Sequence, residues 1–202
     1  MAKHSKCIGI ILAGGQSKRF GEQKAFAVRE NKHFYQYSIE AINSFTSKIY
    51  LVSHPEIKDK FTAENNITVI QDSSHFQGYG PLAGIYTVMD RVQAEWFIVL
   101  PIDCPYITSQ TIEQLLSQLE DGYDAIVPIV NEKPQPLIAI YNFKTKKKLF
   151  HALSTSDLSM HHFLKELRVK FIVGFKEDHF ININFQNDYK KYINGNRSKN
   201  MN

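Results

Sequence analysis

Short apolar runs rich in Ile and Val alternate along this chain with stretches whose apolar residues recur at helical spacing, and that alternation decides the fold class. Ile8-Gly9-Ile10-Ile11-Leu12 and Trp96-Phe97-Ile98-Val99-Leu100 are continuously apolar, the pattern of strands buried on both faces. Strands are expected at 7–12, 49–52, 67–70, 96–100, 125–128, 137–141, 169–175 and 180–183. Helices are expected at 35–45, 55–61, 81–92, 108–119, 147–153, 160–167 and 187–192. Tyr37, Ala41, Ile42 and Phe45 set the first helix by their spacing, and Ile112, Leu115, Leu116 and Leu119 set the fourth. Pro55 and Pro81 stand where a helix start tolerates proline. Strand, helix and strand in succession imply right-handed crossovers and a mostly parallel sheet covered on both faces. The expected fold is therefore α/β, a single three-layer domain with a mostly parallel, Rossmann-like sheet over residues 1–193, followed by a polar tail at 194–202.

Composition excludes several classes of function. With 43% hydrophobic, 22% charged and 12% aromatic residues, the 202-residue chain has a globular composition, not that of a disordered or fibrous protein. Cys7 and Cys104 are too few for a disulfide framework or a four-thiolate zinc site, and such usage suits a reducing, cytoplasmic setting. The apolar runs fall far short of the roughly 18 residues a bilayer span needs, so no membrane partner is expected. The run at 8–13 ends at once in Gly14-Gly15 and a charged segment, which reads as a first strand and not as a signal peptide. A net charge of +4 suits anionic small molecules and is too diffuse to indicate nucleic acid. Lys146-Lys147-Lys148 reads as a solvated helix face, and the adjacent His161 and His162 cannot face each other across a helix.

Chemistry concentrates in three loops that leave strand ends, where ligands of open parallel sheets bind. The first runs Leu12-Ala13-Gly14-Gly15-Gln16-Ser17-Lys18-Arg19-Phe20-Gly21-Glu22-Gln23-Lys24-Ala25. Its glycines let backbone N–H groups approach an anion, while Arg19 offers a planar fork and Lys24 a mobile point charge. It has neither the Gly-Lys-Ser/Thr of a P-loop nor the Gly-x-Gly-x-x-Gly of a dinucleotide fold, yet it suits a polyphosphate. The second loop runs from Asp72 to Gly78-Tyr79-Gly80-Pro81-Leu82-Ala83-Gly84, an acid and a glycine-rich segment feeding a helix, where a flat base could lie against the backbone. In the third, Pro101-Ile102-Asp103-Cys104-Pro105, two prolines hold a carboxylate of the kind Mg²⁺ uses beside phosphate oxygens. Cys104 beside it reads as a small buried filler. Ser53-His54 after the second strand could touch a ribose or base, or form a simple loop.

Together these loops resemble the molybdenum cofactor guanylyltransferase family, which makes molybdopterin-guanine dinucleotide on the glycosyltransferase-A-like nucleotidyltransferase fold. Leu12 to Ala25 is similar to its Leu-Ala-Gly-Gly-x-Ser-x-Arg-x-Gly-x-x-Lys-Ala signature, Gly80 to Gly84 to its Gly-Pro-Leu-Ala-Gly, and Pro101-x-Asp103-x-Pro105 to its acidic turn. Gln135-Pro136-Leu137 with Ala139 and Tyr141 resembles a fourth motif, and Asn182-Ile183-Asn184 its Asn-x-Asn, with Phe185-Gln186 where the family has Thr-Pro. The first loop and the Asp103 turn are shared with sugar-nucleotide and cytidylyl transferases; Ala13-Gly14-Gly15 in place of Ala-Ala-Gly, with Gly-Pro-Leu-Ala-Gly and Asn-x-Asn, points to the guanylyl branch.

The resemblance implies GTP and molybdopterin as substrates and Mg²⁺ as cofactor. Leu12, Ala13, Gly14, Gly15, Lys24, Asp72, Gly80, Gly84 and Asp103 would bind nucleotide, with Asp103 as the metal ligand and Arg19, Lys24 and Asp103 as the catalytic set. Gln135, Asn182 and Asn184 would line the acceptor site; on a strand, the two asparagines would share a face. Proteins of molybdenum insertion or molybdoenzyme maturation are implied as partners. A cytidylyltransferase for the same cofactor or for an isoprenoid or sugar phosphate is the alternative enzyme, and a non-catalytic nucleotide sensor the alternative of another class.

Overall fold

The computed structural model describes residues 7–14, 24–61 and 66–194. Ten strands are present among them: β1 (Cys7–Ala13), β2 (Val28–Arg29), β3 (Lys32–His33), β4 (Lys48–Ser53), β5 (Ile67–Ile70), β6 (Trp96–Pro101), β7 (Ala125–Val130), β8 (Lys133–Pro134), β9 (Ala139–Asn142) and β10 (Val169–Ile172). The helices are α1 (Phe34–Ile42), α2 (Pro81–Arg91), α3 (Ser109–Leu116), α4 (Lys146–Ser154) and α5 (Met160–Lys165), with 3-10 turns between. The sheet runs in the order β10-β7-β9-β6-β1-β4-β5, with β8 on β7.

Side chains of the central strands alternate between two faces, and both faces are buried, as a sheet covered on both sides requires. Ile11, Leu51, Ile98, Leu100, Ile126 and Ile140 pack toward α1 and α3 through Ile39, Ile42, Ile112 and Leu115. Ile8, Ile10, Phe97, Val99 and Val127 face the other way, against Leu82, Ile85, Val88 and Leu149 of α2 and α4. Side chains such as Ile10, Ile11, Phe97 and Ile98 are fully buried, and each contributes about 1.5–3 kcal/mol of burial free energy. Thr108 caps α3, its hydroxyl accepting from the Thr111 N–H.

The sheet is mixed, though mostly parallel. β1 pairs in parallel with β4 and β6, β4 with β5, and β7 with β10. β9 runs antiparallel between β6 and β7. After β7 the chain turns at Asn131 and Glu132, at φ 50° and 61°, into the hairpin strand β8. No helix intervenes before β9, and a parallel return needs a crossover of about a dozen residues or more, so β9 comes back antiparallel.

The expected strand at 180–183 does not form. Residues 177–180 make a 3-10 turn, and 181–184 run extended beside the Asp103 turn, where the Ile183 N–H donates to the Asp103 carbonyl at 2.8 Å. That turn, flanked by Pro101 and Pro105, offers no continuous edge for a ladder. The last expected helix is a single α-turn at Gln186–Asp188 that widens into a π-helical segment over Tyr189–Asn194. Most of the expected tail, 195–202, lies outside the described residues.

From β1 the chain builds outward through β4 to β5, then returns to place β6 on the other side of β1. This reversal of strand order opens a crevice beyond the carboxyl ends of β1 and β6, and the functional residues gather there.

Candidate active site

A cleft of about 570 Å³ opens at this switch point, lined by Leu12, Gly14, Ser53, His54, Asp72, Gln77, Gly78, Gly80, Gly84, Pro101, Asp103 and Leu137. Its volume suits a nucleotide-sized ligand. One wall comes from the end of β5 and the loop into α2. Gly80 sits at φ +73°, a conformation that favours glycine, and turns the chain into α2. At Gly84, in the first turn of α2, an added Cβ would lie 2.7 Å from Leu12 Cδ2 and 3.6 Å from Asp72 Oδ1. Glycine there lets the helix approach the end of β1 closely, which explains its place in the Gly-Pro-Leu-Ala-Gly run.

Two buried side-chain atoms of this cleft are unsatisfied. Ser53 Oγ and Asp72 Oδ1 are the buried side-chain polar atoms without a hydrogen-bond partner among the described residues. Such orphans are few in native structures. Finding both on one cleft points to a ligand that supplies hydrogen-bond donors. Burial pushes the Asp72 carboxyl above its ordinary pKa, opposed in part by the Gly78 N–H and the nearby His54.

The other wall carries cation and carboxylate. Lys24 Nζ lies 3.3 Å from Asp103 Oδ2 and donates to Asn184 Oδ1 at 2.7 Å. The pair is largely sheltered, with side chains 11% and 20% exposed. Three segments distant in sequence therefore meet at one point: the end of the first loop, the turn after β6 and the extended stretch 181–184. Asn182 and Asn184 are both exposed while Ile183 between them is fully buried. The expected shared face of the two amides is thus present, on an extended segment instead of a strand.

Cys104 is buried and its thiol donates to Asp103 Oδ1 at 3.7 Å. Burial, and then the Asp103 charge, push its pKa well up, so it is a neutral filler beside the carboxylate. Gln135 is placed apart from the main cleft. It lines a neighbouring cleft of about 420 Å³ with Asn131, Lys133, Asp178 and Ile181, and its side-chain amide donates to the Lys133 carbonyl at 3.2 Å. The hairpin β7–β8 turns it that way, and Leu137, two residues on, reaches the main cleft instead. Leu12, Ala13, Gly14, Lys24, Asp72, Gly80, Gly84 and Asp103 all fall at the switch point; Gly15 and Arg19 lie outside the described residues.

Sequence reasoning did not find the Lys24–Asn184 contact, nor the hairpin β2–β3 that follows Lys24. The hairpin had a signal: Glu30-Asn31 lies between two short extended dipeptides, and both turn residues take positive φ, 47° and 66°.

Among the described residues no three His, Cys, Asp or Glu side chains cluster as a metal cage. Asp103 has one oxygen toward Lys24 and the other, among the described residues, met by a weak thiol donor at 3.7 Å. One such carboxylate on a phosphate-sized cleft fits Mg²⁺, which takes one or two carboxylates and fills its shell with phosphate oxygens and water. It does not fit a structural zinc site.

A doubly wound sheet with a glycine-rich loop, a lysine and a carboxylate gathered at its switch point defines the class as a nucleotidyltransferase. The family model of the MobA-like NTP transferase domain matches residues 9–170. Curated relatives include the probable molybdenum cofactor guanylyltransferases of Bacillus mycoides, 39% identical, and of Bacillus cereus strain AH820, 37% identical; each match covers 92% of this chain and 94% of the relative. The chain belongs to the molybdenum cofactor guanylyltransferase family. The fold is shared with molybdopterin-guanine dinucleotide biosynthesis protein A from Archaeoglobus fulgidus, at TM-score 0.77 and 22% identity over 95% of this chain and 99% of that one. It is also shared with the bifunctional IspDF from Campylobacter jejuni, at TM-score 0.71 and 20% identity over 93% of this chain and 54% of that one.

Proposed function

We propose that the chain transfers GMP from GTP to the terminal phosphate of molybdenum-loaded molybdopterin, forming the guanine dinucleotide and releasing pyrophosphate. The family supports the reaction. The observation that carries the choice of base is the pair of orphaned polar atoms, above all the buried Asp72 Oδ1. Guanine presents two adjacent donors, N1–H and the 2-amino group, which a carboxylate accepts together. Cytosine offers one amino donor beside acceptor atoms, which the same carboxylate repels.

In the transfer, an oxygen of the acceptor phosphate forms a bond to the α-phosphorus, and the bond from the α-phosphorus to the bridging oxygen breaks as pyrophosphate leaves. The acceptor phosphate is already anionic near neutral pH, so no side chain need remove a proton. The barrier is repulsion between anions and charge building on the leaving group, which preorganised cations lower. Lys24 is such a cation: one of its three N–H donors stays on Asn184 Oδ1 at 2.7 Å while the one on Asp103 Oδ2 at 3.3 Å can exchange to a phosphate oxygen. Arg19 would add a second, forked cation from the first loop. Asp103 would hold Mg²⁺, which when bound supplies charge neutralisation on the triphosphate. The backbone from Leu12 to Gly14 would line the nucleotide's path, and Asn182 would meet the acceptor beside Asn184.

Pyrophosphate release measured with GTP, CTP, ATP and UTP in the presence of acceptor tests this reading. Release with GTP is expected. Release confined to CTP would make the chain a cytidylyltransferase, and none with any nucleotide would favour a sensor.

A further inference from the structure

Lys24 reaches Asp103 on a flexible stem of four carbons, so the distance between them depends on what fixes the two backbones. Lys24 is the first residue of a three-residue 3-10 turn, and the hairpin β2–β3 follows. Arg29 of that hairpin crosses to the turn that carries Asp103. Its Nη1 donates to the Pro105 carbonyl at 2.6 Å. Its guanidinium lies 4.1 Å from the ring centre of Tyr106 and 5.0 Å from that of Tyr37. Tyr37 closes the clamp by donating its hydroxyl to the Arg29 carbonyl at 2.6 Å. The same hairpin holds the segment beyond Asn184, for Tyr189 donates to the Val28 carbonyl, and the Asp103 turn holds it as well, for Tyr106 donates to the Tyr192 carbonyl at 2.8 Å.

Only a planar, delocalised cation can stack on an aromatic face and donate in plane to a carbonyl. The Arg29 side chain is 21% exposed, so its contacts are largely sheltered; its ion pair with Glu30, whose side chain is 73% exposed, adds little. We infer that Arg29 is a positioning residue that holds Lys24 opposite Asp103 and thereby sets the rate of the transfer step, not affinity for the nucleotide. This rests on the reading of Lys24 under the proposed function.

The test is kcat and KM for GTP in the wild type, Arg29→Lys, Arg29→Ala, Lys24→Ala and the Arg29→Ala/Lys24→Ala double variant, each with a thermal melt. Misplacing a catalytic group by about 1 Å costs up to about 100-fold, so Arg29→Ala should lower kcat by about 10- to 100-fold while KM for GTP stays within about threefold. Arg29→Lys keeps a charge and one donor but loses the stack and fork, and should recover part of the loss. Because Arg29 acts through Lys24, the double variant should be no more than about twofold slower than Lys24→Ala alone. Wild-type kcat in Arg29→Ala, a rise in KM alone, or losses that multiply in the double variant would each overturn the inference. Should Arg29→Ala not fold, Arg29→Lys and Tyr106→Leu, each combined with Lys24→Ala, are read by the same criteria. Wild-type kcat in Lys24→Ala would instead remove the functional reading beneath it.

Discussion

Replacing Asp72 with Asn should stabilise the ligand-free protein and weaken GTP binding together. In the folded chain Asp72 Oδ1 is buried without a partner, and burial holds the carboxyl above its ordinary pKa. A raised folded-state pKa means the favourable contribution is fully present below the unfolded value and lost as pH rises through the folded one. At pH 7 the charged form is therefore a net cost. Asn removes the charge and keeps an acceptor for the Gly78 N–H. One buried polar atom stays unpaired in the Asn variant, so the gain is only the relieved desolvation of the charge, about 1 kcal/mol once solvent screening of this half-buried group is counted. For a chain of this size that is a rise in Tm of about 2–4 °C. With GTP the sign reverses. An amide offers one acceptor and one donor to two adjacent donors of guanine, so a charge-assisted bond worth about 1.5–3 kcal/mol is lost, or about 10- to 100-fold in Kd. The assays are a melt at pH 7 without nucleotide and titration calorimetry with GTP, and the gain in Tm should shrink as pH falls toward 4. A lower Tm with unchanged affinity for GTP would refute the reasoning, because Asp72 would then be a structural carboxylate satisfied without ligand.

Asp103→Ala should keep its melting temperature near that of the wild type and lose about 100-fold in turnover at saturating Mg²⁺, the scale of one lost transition-state contact; steady-state pyrophosphate release measures it. Chelation of divalent cations should stop turnover by the wild type, and added Mg²⁺ should restore it. Asp124 sits 19% exposed at the start of β7, and its carboxylate accepts from the Arg168 N–H and from Lys148 Nζ, both at 3.0 Å. Burial pushes its pKa up, but these two bonds outweigh it and the carboxyl ends below its ordinary value. A depressed pKa contributes stability above the unfolded value that is lost as pH falls through the folded one. Asp124→Asn should therefore cost about 1–2 kcal/mol at pH 7 by urea unfolding, and the difference should close as pH falls through the depressed pKa.

The central strands were legible because their side chains obey one rule. Cys7 to Leu12 and Trp96 to Leu100 are apolar on both faces, and runs so short and so rich in Ile and Val, ended by glycine or proline, suit a strand between two covering layers. The three loops were legible for a related reason: glycines and prolines mark where backbone must turn or approach a ligand, and Lys24, Asp72 and Asp103 stand beside them. What could not be read depends on contacts between distant segments. β9 looks like any buried strand, and its antiparallel direction follows from the short path back from β7. Asn182 and Asn184 alternate as a strand would, but the proline-flanked turn beside them provides no ladder. Gln135 matches a motif, yet the hairpin before it turns its side chain to a neighbouring cleft. The role of Arg29 has little local signal, because beyond Tyr37 and Glu30 its partners, Pro105 and Tyr106, lie more than seventy residues away.

Product identity tests the guanylyl transfer most directly. Incubation of the full chain with GTP, Mg²⁺ and molybdenum-loaded molybdopterin, followed by mass detection, should yield molybdopterin guanine dinucleotide with one pyrophosphate released per molecule. A cytosine dinucleotide formed from CTP with none formed from GTP, or no dinucleotide from either, would contradict it.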